Sequence, residues 1–304
     1  MPQHKDFLDL TSRTREELLA TLELATSIKT DLKAGQASEA LKGKTLAMVF
    51  QKPSARTRVS FEVGMWQLGG YALYLAPTDI GLGKRESVAD VARVLARYND
   101  GIMARVFAHA HMEELAAFSD VPVINGLSDL LHPCQLMADL LTIKEHKGKV
   151  EGLKVAFVGD GNNLANSWLN AAARLDFQLA LAIPEGYEPD RALFEQAKAA
   201  NPHVTINEVP EMAVEDADVI YTDTWTSMGK EEESEKRRRD FQGFTVNAEL
   251  IGKAKDDVIV MHCLPAHRGE EITDEVMDGP HSVVFDEAEN RLHAQKAILV
   301  ELMG

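Results

Sequence analysis

Apolar and polar positions along this chain follow two alternating periods. Short apolar runs of strand type occur at 45–50, 72–75, 102–107 and 121–124. They recur at 154–158, 178–183, 204–206, 218–221, 258–261 and 282–285. Between most of them apolar residues return at helical spacing. Thr14-Arg15-Glu16-Glu17 has the form of a capping box, with Leu18, Leu19 and Leu22 on one face behind it. The stretch 287–302 reads as one long helix. This alternation predicts an α/β protein of parallel sheets flanked by helices. A polar, glycine-marked joint at 147–152 divides it into two domains. There is no repeat at a solenoid period and no low-complexity tract.

A length of 304 residues agrees with two domains. Apolar residues make up 45% and charged residues 26%, the balance of a soluble globular chain. No apolar run approaches the roughly 20 residues of a membrane helix, and Met1-Pro2-Gln3-His4-Lys5-Asp6 has no signal-peptide core. Two cysteines without close spacing argue against a disulfide framework or structural zinc. A cytoplasmic location is expected. The formal net charge of −16 disfavours nucleic acid as a partner. It also means that any site for an anionic metabolite must be a local cluster of arginines and helix ends.

The polar residues that fit a plain core poorly gather just after the strand runs. Arg56 follows the first, and Arg105 lies at the end of another. His132 and Gln135 come after 121–125, and Asn162 and Asn163 after 154–158. Asp223 follows 218–221, and His262 and Cys263 follow 258–261. Open α/β sheets bind ligands at the carboxyl ends of their strands, so two such domains facing each other would gather these groups in one cleft.

The most informative segment is Phe50-Gln51-Lys52-Pro53-Ser54-Ala55-Arg56-Thr57-Arg58-Val59-Ser60-Phe61-Glu62. A strand run stops at Pro53 and a helix pattern begins near Arg56. Free N–H groups and the positive dipole end at a helix start favour an anion. Ser54 and Thr57 add hydroxyls, and Arg56 adds a guanidinium that can fork two oxygens. A capped helix with surface arginines fits this segment equally well. Arg105 within an apolar run needs an anion or a carboxylate partner. His132-Pro133-Cys134-Gln135 opens a helix over 135–145. His132 is placed to donate to a carbonyl oxygen and Gln135 to read an amide edge, although a histidine before proline also serves as helix-start packing.

Gly159 and Gly161 after a strand suggest a dinucleotide loop, but the third glycine of that fingerprint is Leu164. In Thr222-Asp223-Thr224-Trp225-Thr226-Ser227-Met228-Gly229, Asp223 suits an ammonium group. Ser227 and the Met228 backbone suit a carboxylate, and a solvated loop is the plainer reading. In 231–239, Glu232–Lys236, Glu233–Arg237 and Glu235–Arg239 sit at i,i+4 spacing, so the basic run reads as a solvated helix face. His262 and His267 beside Cys263 form an incomplete metal set, and no metal is expected. His109 and His111 read as surface residues at a helix start.

In order, the motifs Ser-x-Arg-Thr-Arg, His-Pro-x-Gln, Gly-Asp-Gly-Asn-Asn, Asp-x-x-x-Ser-Met-Gly, His-Cys-Leu-Pro and Glu289-Asn290-Arg291 span the whole chain. Together they resemble the aspartate/ornithine transcarbamylase family. Ser227-Met228-Gly229 and Cys263 point to its ornithine branch. The resemblance implies transfer of the carbamoyl group from carbamoyl phosphate to the side-chain amine of L-ornithine. The products are L-citrulline and phosphate, in arginine biosynthesis or catabolism, and no cofactor is required. It implies a carbamoyl-phosphate domain at 1–148, joined by the C-terminal helix at about 287–304, and an ornithine domain at 149–286. Ser54, Ala55, Arg56 and Thr57 are implied to cradle the phosphate beside Arg105. Arg56, Thr57, Arg105 and His132 polarise the carbamoyl oxygen. Gln135, the Cys263 and Leu264 backbone, and Arg291 fix the carbamoyl amide. Asn163, Asp223, Ser227 and Met228 hold ornithine, with Asp223 and Cys263 near its reacting amine. Arg58 supports the loop.

Two positions depart from the family's pattern. Ala55 stands where threonine is usual, a mild change if the backbone N–H is what binds. Gly81 cannot make the contact into a neighbouring subunit that glutamine or histidine often makes nearby; either Lys84 or Arg85 replaces it, or the contact is absent. The family forms trimers, so a homotrimer or a multiple of trimers is expected. Competing readings are a sister enzyme acting on putrescine or acetylornithine, a nucleotide-dependent oxidoreductase built on Gly159–Gly161, and a binding-only relative.

Overall fold

The computed structural model describes residues 5–226 and 231–304. It divides into two compact units, one of the chain up to Leu141 with Asn290–Gly304, the other Thr142–Glu289. These divisions lie within the helices Pro133–Lys147 and Val284–Met303.

The first unit holds a parallel sheet of β1 (Thr45–Phe50), β2 (Tyr71–Leu75), β3 (Gly101–Arg105) and β4 (Val123–Leu127), in the order β2-β1-β3-β4. β3 and β4 are buried throughout and β1 nearly so, as in a sheet covered on both faces, whereas the edge strand β2 is half-exposed. Phe7 extends the far edge, donating its N–H to Val123 O at 2.9 Å and accepting from Asn125 N at 2.8 Å. The strand order reverses between β1 and β3, whose last residues Phe50 and Arg105 lie opposite each other. That reversal opens a crevice at their carboxyl ends.

The helix Arg15–Lys33 begins with the expected capping box. Thr14 Oγ1 accepts from Glu17 N at 3.2 Å, and Glu17 Oε2 accepts from Thr14 N at 2.8 Å. Such a cap contributes about 1 kcal/mol. Leu18, Leu22 and Ala25 are its buried face. The chain from Asn290 onward docks in this unit through buried polar ties. Lys29 Nζ donates to Asn290 Oδ1 at 2.7 Å, Thr21 Oγ1 to Glu301 Oε1 at 2.6 Å, and Lys296 Nζ to Gln67 Oε1 at 2.9 Å. Burial pulls the Lys296 ammonium below its ordinary range and pushes the Glu301 carboxyl above it.

The second unit holds β5 (Lys154–Val158), β6 (Gln178–Ala182), β7 (Val204–Asn207), β8 (Val219–Thr222) and β9 (Ile259–His262), all parallel, in the order β7-β6-β5-β8-β9. Here the order reverses between β5 and β8. Val158 lies opposite Thr222 and Thr222 opposite His262, so three strands end level. The loops that follow carry Asp160–Asn163, Asp223 and Cys263. Trp168 packs edge-on to Tyr221 at 5.4 Å, and Phe157 stacks on the same ring at 5.9 Å.

Some sequence expectations need correction. The run 282–285 is not a strand. Val260 and Ser282 form an isolated bridge, and the final helix starts at Val284, ahead of the expected 287. Asp286 and Glu287 in its first turn favour that start. Phe285 made the run look apolar, yet it is exposed. The run 102–107 leaves the sheet after Arg105, and Phe107 is exposed. The 231–239 segment is not a wholly solvated face, because Arg237 is only 3% exposed. His109 and His111 open the helix His109–Phe118 but are half-buried. His109 Nδ1 lies 2.8 Å from Ser128 Oγ, and His111 Nδ1 lies 3.3 Å from Gln51 Nε2.

Candidate active site

In the first unit the helix Ala55–Gln67 starts directly beyond β1 and is capped by Ser54, whose Oγ accepts from Thr57 N at 3.3 Å. Thr57 is fully buried. Its Oγ1 accepts from Ser54 Oγ at 3.1 Å and from Arg291 Nη2 at 2.9 Å, which leaves its own O–H to donate elsewhere. Arg291 comes from the C-terminal helix, over two hundred positions away in sequence. Arg56 is exposed, and its guanidinium has no partner among the described residues. Arg58 leaves the cluster. Its Nε donates to Glu62 Oε1 at 3.1 Å, and its guanidinium lies 3.9 Å from the Tyr74 ring.

Arg105, at the end of β3, is 8% exposed. His132 is buried immediately before the helix Pro133–Lys147. Burial lowers the His132 pKa well below its ordinary 6.5, and the charges of Arg291 and Arg105 lower it further. His132 is therefore a neutral imidazole, able to donate one N–H without carrying charge. Gln135 is buried in the first turn of the same helix, where its Nε2 donates to Asp139 Oδ1 at 2.8 Å. Cys134 beside it is structural. Its Sγ donates to Asn125 O at 3.3 Å, and burial pushes the thiol up to about 12. Three guanidiniums thus come to one end of a sheet in a chain whose net charge is −16.

In the second unit Asp223 is 7% exposed beyond β8. Its Oδ2 accepts from Asn162 Nδ2 at 2.7 Å, and its Oδ1 accepts from Cys263 Sγ at 3.0 Å and Thr224 N at 2.8 Å. The structure thus ties Asp223 to Asn162 and Cys263, and Asn163 is the first residue of the helix Asn163–Ala172. Leu264 has a φ of 57°, uncommon outside glycine and frequent near functional sites. Its N–H donates to His262 Nδ1 at 2.9 Å. The His262 proton is therefore on Nε2, which donates to Glu271 Oε1 at 3.0 Å. His262 N donates to Glu287 Oε2 at 2.8 Å. Ser227 and Met228 lie outside the described residues.

Asp223, His262 and Cys263 bring potential ligand atoms within 4.8 Å of one another. Both ring nitrogens of His262 are engaged, so a metal there would have to break a buried hydrogen bond. Gly161 is accounted for without a dinucleotide. A Cβ at that position would lie 2.3 Å from Pro189 N and from Tyr187 O, so glycine is required by the neighbouring turn. Asn162 Oδ1 already accepts from Leu164 N and Ala165 N, the groups a pyrophosphate would use.

Sequence reasoning missed Asn162 as the partner of Asp223, and also Asp139, Glu271, Glu287 and Arg237. Arg237 Nη1 donates to Trp225 O at 2.7 Å and lies 3.0 Å from Asp160 Oδ2, while its Nε donates to Glu233 Oε2 at 2.9 Å. The i,i+4 spacing to Glu233 was visible. The long-range ties were not.

Residues 5–145 match the family description "Aspartate/ornithine carbamoyltransferase, carbamoyl-P binding domain", and residues 151–302 match "Aspartate/ornithine carbamoyltransferase, Asp/Orn binding domain". The chain is 56% identical to an ornithine carbamoyltransferase of Methanosarcina acetivorans over 299 residues, covering 98% of this chain and 99% of the relative. It is 56% identical over 304 residues to one of Thermococcus kodakarensis, covering 99% and 96%. The solved ornithine carbamoyltransferase of Pyrococcus furiosus superposes with a TM-score of 0.97 at 53% identity, over 100% of this chain and 99% of that one.

Proposed function

The chain belongs to the aspartate/ornithine carbamoyltransferase family, and from that membership we propose that it transfers the carbamoyl group of carbamoyl phosphate to the side-chain amine of L-ornithine. L-Citrulline and phosphate are the products, in arginine biosynthesis or catabolism. Asp223 carries the choice of acceptor. A nearly buried carboxylate, held by Asn162 and Cys263, attracts a cationic amino acid and repels the second carboxylate of aspartate.

Carbamoyl phosphate belongs to the first domain. The helix start at Ser54–Thr57 takes its phosphate with Arg56 and Arg105. The neutral His132 and the Thr57 hydroxyl donate to the carbamoyl oxygen. Ornithine belongs to the second domain, where Asn163, Ser227 and Met228 hold its amino-acid end and Asp223 and Cys263 its reacting amine. The Leu264 N–H is committed to His262. The Cys263 and Leu264 carbonyls therefore have the right polarity for the carbamoyl NH2, a pure donor.

The neutral amine attacks the carbamoyl carbon. A C–N bond forms, negative charge collects on the carbamoyl oxygen, and the C–O bond to phosphate then breaks with its electron pair leaving on phosphate. The amine proton is released. Orientation and stabilisation of the oxyanion suffice because the mixed anhydride is already activated, and no cofactor enters the scheme.

A homotrimer, or a multiple of trimers, in the cytoplasm completes the proposal. Its support is an apolar surface on the first domain. Trp66 on the helix Ala55–Gln67 is 76% exposed and Tyr71 on the edge strand β2 is 65% exposed, with Val59 and Leu73 also open to solvent. An unpaired strand edge beside such a patch suits contact between copies. None of the described helices is long and apolar enough to cross a membrane. Light scattering on the wild type and Trp66→Glu tests the assembly, and a monomeric wild type would overturn it.

The activity is tested with ornithine, putrescine, N-acetylornithine and aspartate as parallel acceptors, following phosphate release. Turnover with ornithine alone supports the reading. Turnover with another acceptor keeps the carbamoyl-phosphate half and overturns the roles given to Asp223 and residues 227–228.

A further inference from the structure

Asp139 is a fully buried carboxylate to which the chemistry above gives no task. It lies one helical turn beyond Gln135 and accepts from Gln135 Nε2 at 2.8 Å. The helix Pro133–Lys147 sets this i,i+4 spacing, so the contact follows from the backbone. A carboxamide is nearly symmetric in shape but opposite in polarity at its two ends. Nothing in the shape of Gln135 decides which end faces a ligand. Here the Asp139 carboxyl oxygen Oδ1 accepts from the NH2 end, which turns the oxygen end of the amide away from it.

We propose that Asp139 is a positioning residue that fixes the amide of Gln135 with Oε1 as its ligand-facing group. The site then selects a carbamoyl group over other acyl groups by accepting a hydrogen bond from its NH2. This rests on the proposed binding of carbamoyl phosphate in the first domain. It adds the residue that sets the polarity of that recognition. Acetyl phosphate is the matched probe, because it carries the same phosphate and carbonyl with a methyl in place of the NH2. Inorganic phosphate reports the anion socket alone.

Asparagine at 139 keeps the size but can present either an oxygen or an NH2 to Gln135, so the amide loses its fixed polarity. Dissociation constants for carbamoyl phosphate, acetyl phosphate and inorganic phosphate should be measured by calorimetry on four proteins: wild type, Asp139→Asn, Gln135→Leu and the double variant. In Asp139→Asn the preference for carbamoyl over acetyl phosphate is expected to fall roughly tenfold, the size of one well-placed hydrogen bond. Phosphate affinity stays within about twofold on the same scale. The double variant discriminates no worse than Gln135→Leu, because Asp139 acts through Gln135. Full discrimination in Asp139→Asn, equal weakening for all three anions, or additive losses in the double variant would overturn the inference. A wild type that binds inorganic phosphate as tightly as carbamoyl phosphate would instead overturn the proposed function on which it stands.

Discussion

Replacing Arg237 with methionine removes the guanidinium and keeps most of the side-chain volume. Arg237 and Asp160 are almost completely buried and lie 3.0 Å apart. Without the arginine, Asp160 is left as a buried charge without its ion-pair partner, which costs about 3–5 kcal/mol. The pair with Glu233 adds under about 1 kcal/mol, because that carboxylate is half-exposed and screened by water. The hydrogen bond to Trp225 O is lost as well. Urea unfolding followed by tryptophan fluorescence reads the change, since the buried Trp168 and Trp225 report this unit. Asp160→Asn in the same chain removes the stranded charge and should recover more than half of the loss. Arg237 also holds the backbone immediately before residues 227–230, so KM for ornithine should rise while KM for carbamoyl phosphate stays unchanged. A loss below about 1 kcal/mol, or no recovery in the double variant, would mean that Asp160 is not desolvated in solution.

Arg56→Ala should lower turnover by about 10²–10³ and leave the melting temperature unchanged, since the side chain is exposed and has no partner among the described residues. Near-normal activity would remove Arg56 from the phosphate socket. Histidine 132 predicts a pH effect of fixed sign. Its folded pKa lies well below the ordinary 6.5, so its contribution is fully present above about pH 6.5. As pH falls, the unfolded chain takes up a proton that the folded chain refuses, and stability drops by about 1.4 kcal/mol per pH unit. Denaturation at several acidic pH values should show that slope reduced by one proton in His132→Gln. An unchanged slope would mean that His132 is not held neutral. Iodoacetamide at mildly alkaline pH should modify the half-buried Cys263 and spare Cys134, whose thiol is pushed up to about 12. Peptide mass mapping checks this, and equal labelling would contradict it.

The fold was most readable where a strand between helix layers was a single unbroken apolar run. β1 and β5 begin and end where their apolar runs do, because a parallel strand between helix layers needs an unbroken run. The reading failed at 282–285, where a short apolar run belonged to a helix start. Periodicity alone cannot separate these two cases. Local polar signals survived well. The Thr14 capping box and the Ser54 cap are made by residues three positions apart, and they form as the sequence suggests. What stayed hidden were long-range polar ties. Arg291 reaching Thr57, Asn162 reaching Asp223 and Arg237 reaching Asp160 join segments with no common period. A buried arginine in a run of charges has the same spacing as a solvated one until its partners are placed.

The reaction is the formation of a C–N bond between carbamoyl phosphate and ornithine. The most direct measurement uses carbamoyl phosphate labelled at its carbonyl carbon and follows the carbon by NMR in the presence of enzyme and L-ornithine. The label should appear in the ureido carbon of citrulline, at a rate that rises between about pH 6 and about pH 9 as the attacking amine loses its proton. Label passing only to bicarbonate or cyanate, at a rate indifferent to ornithine, would rule that transfer out.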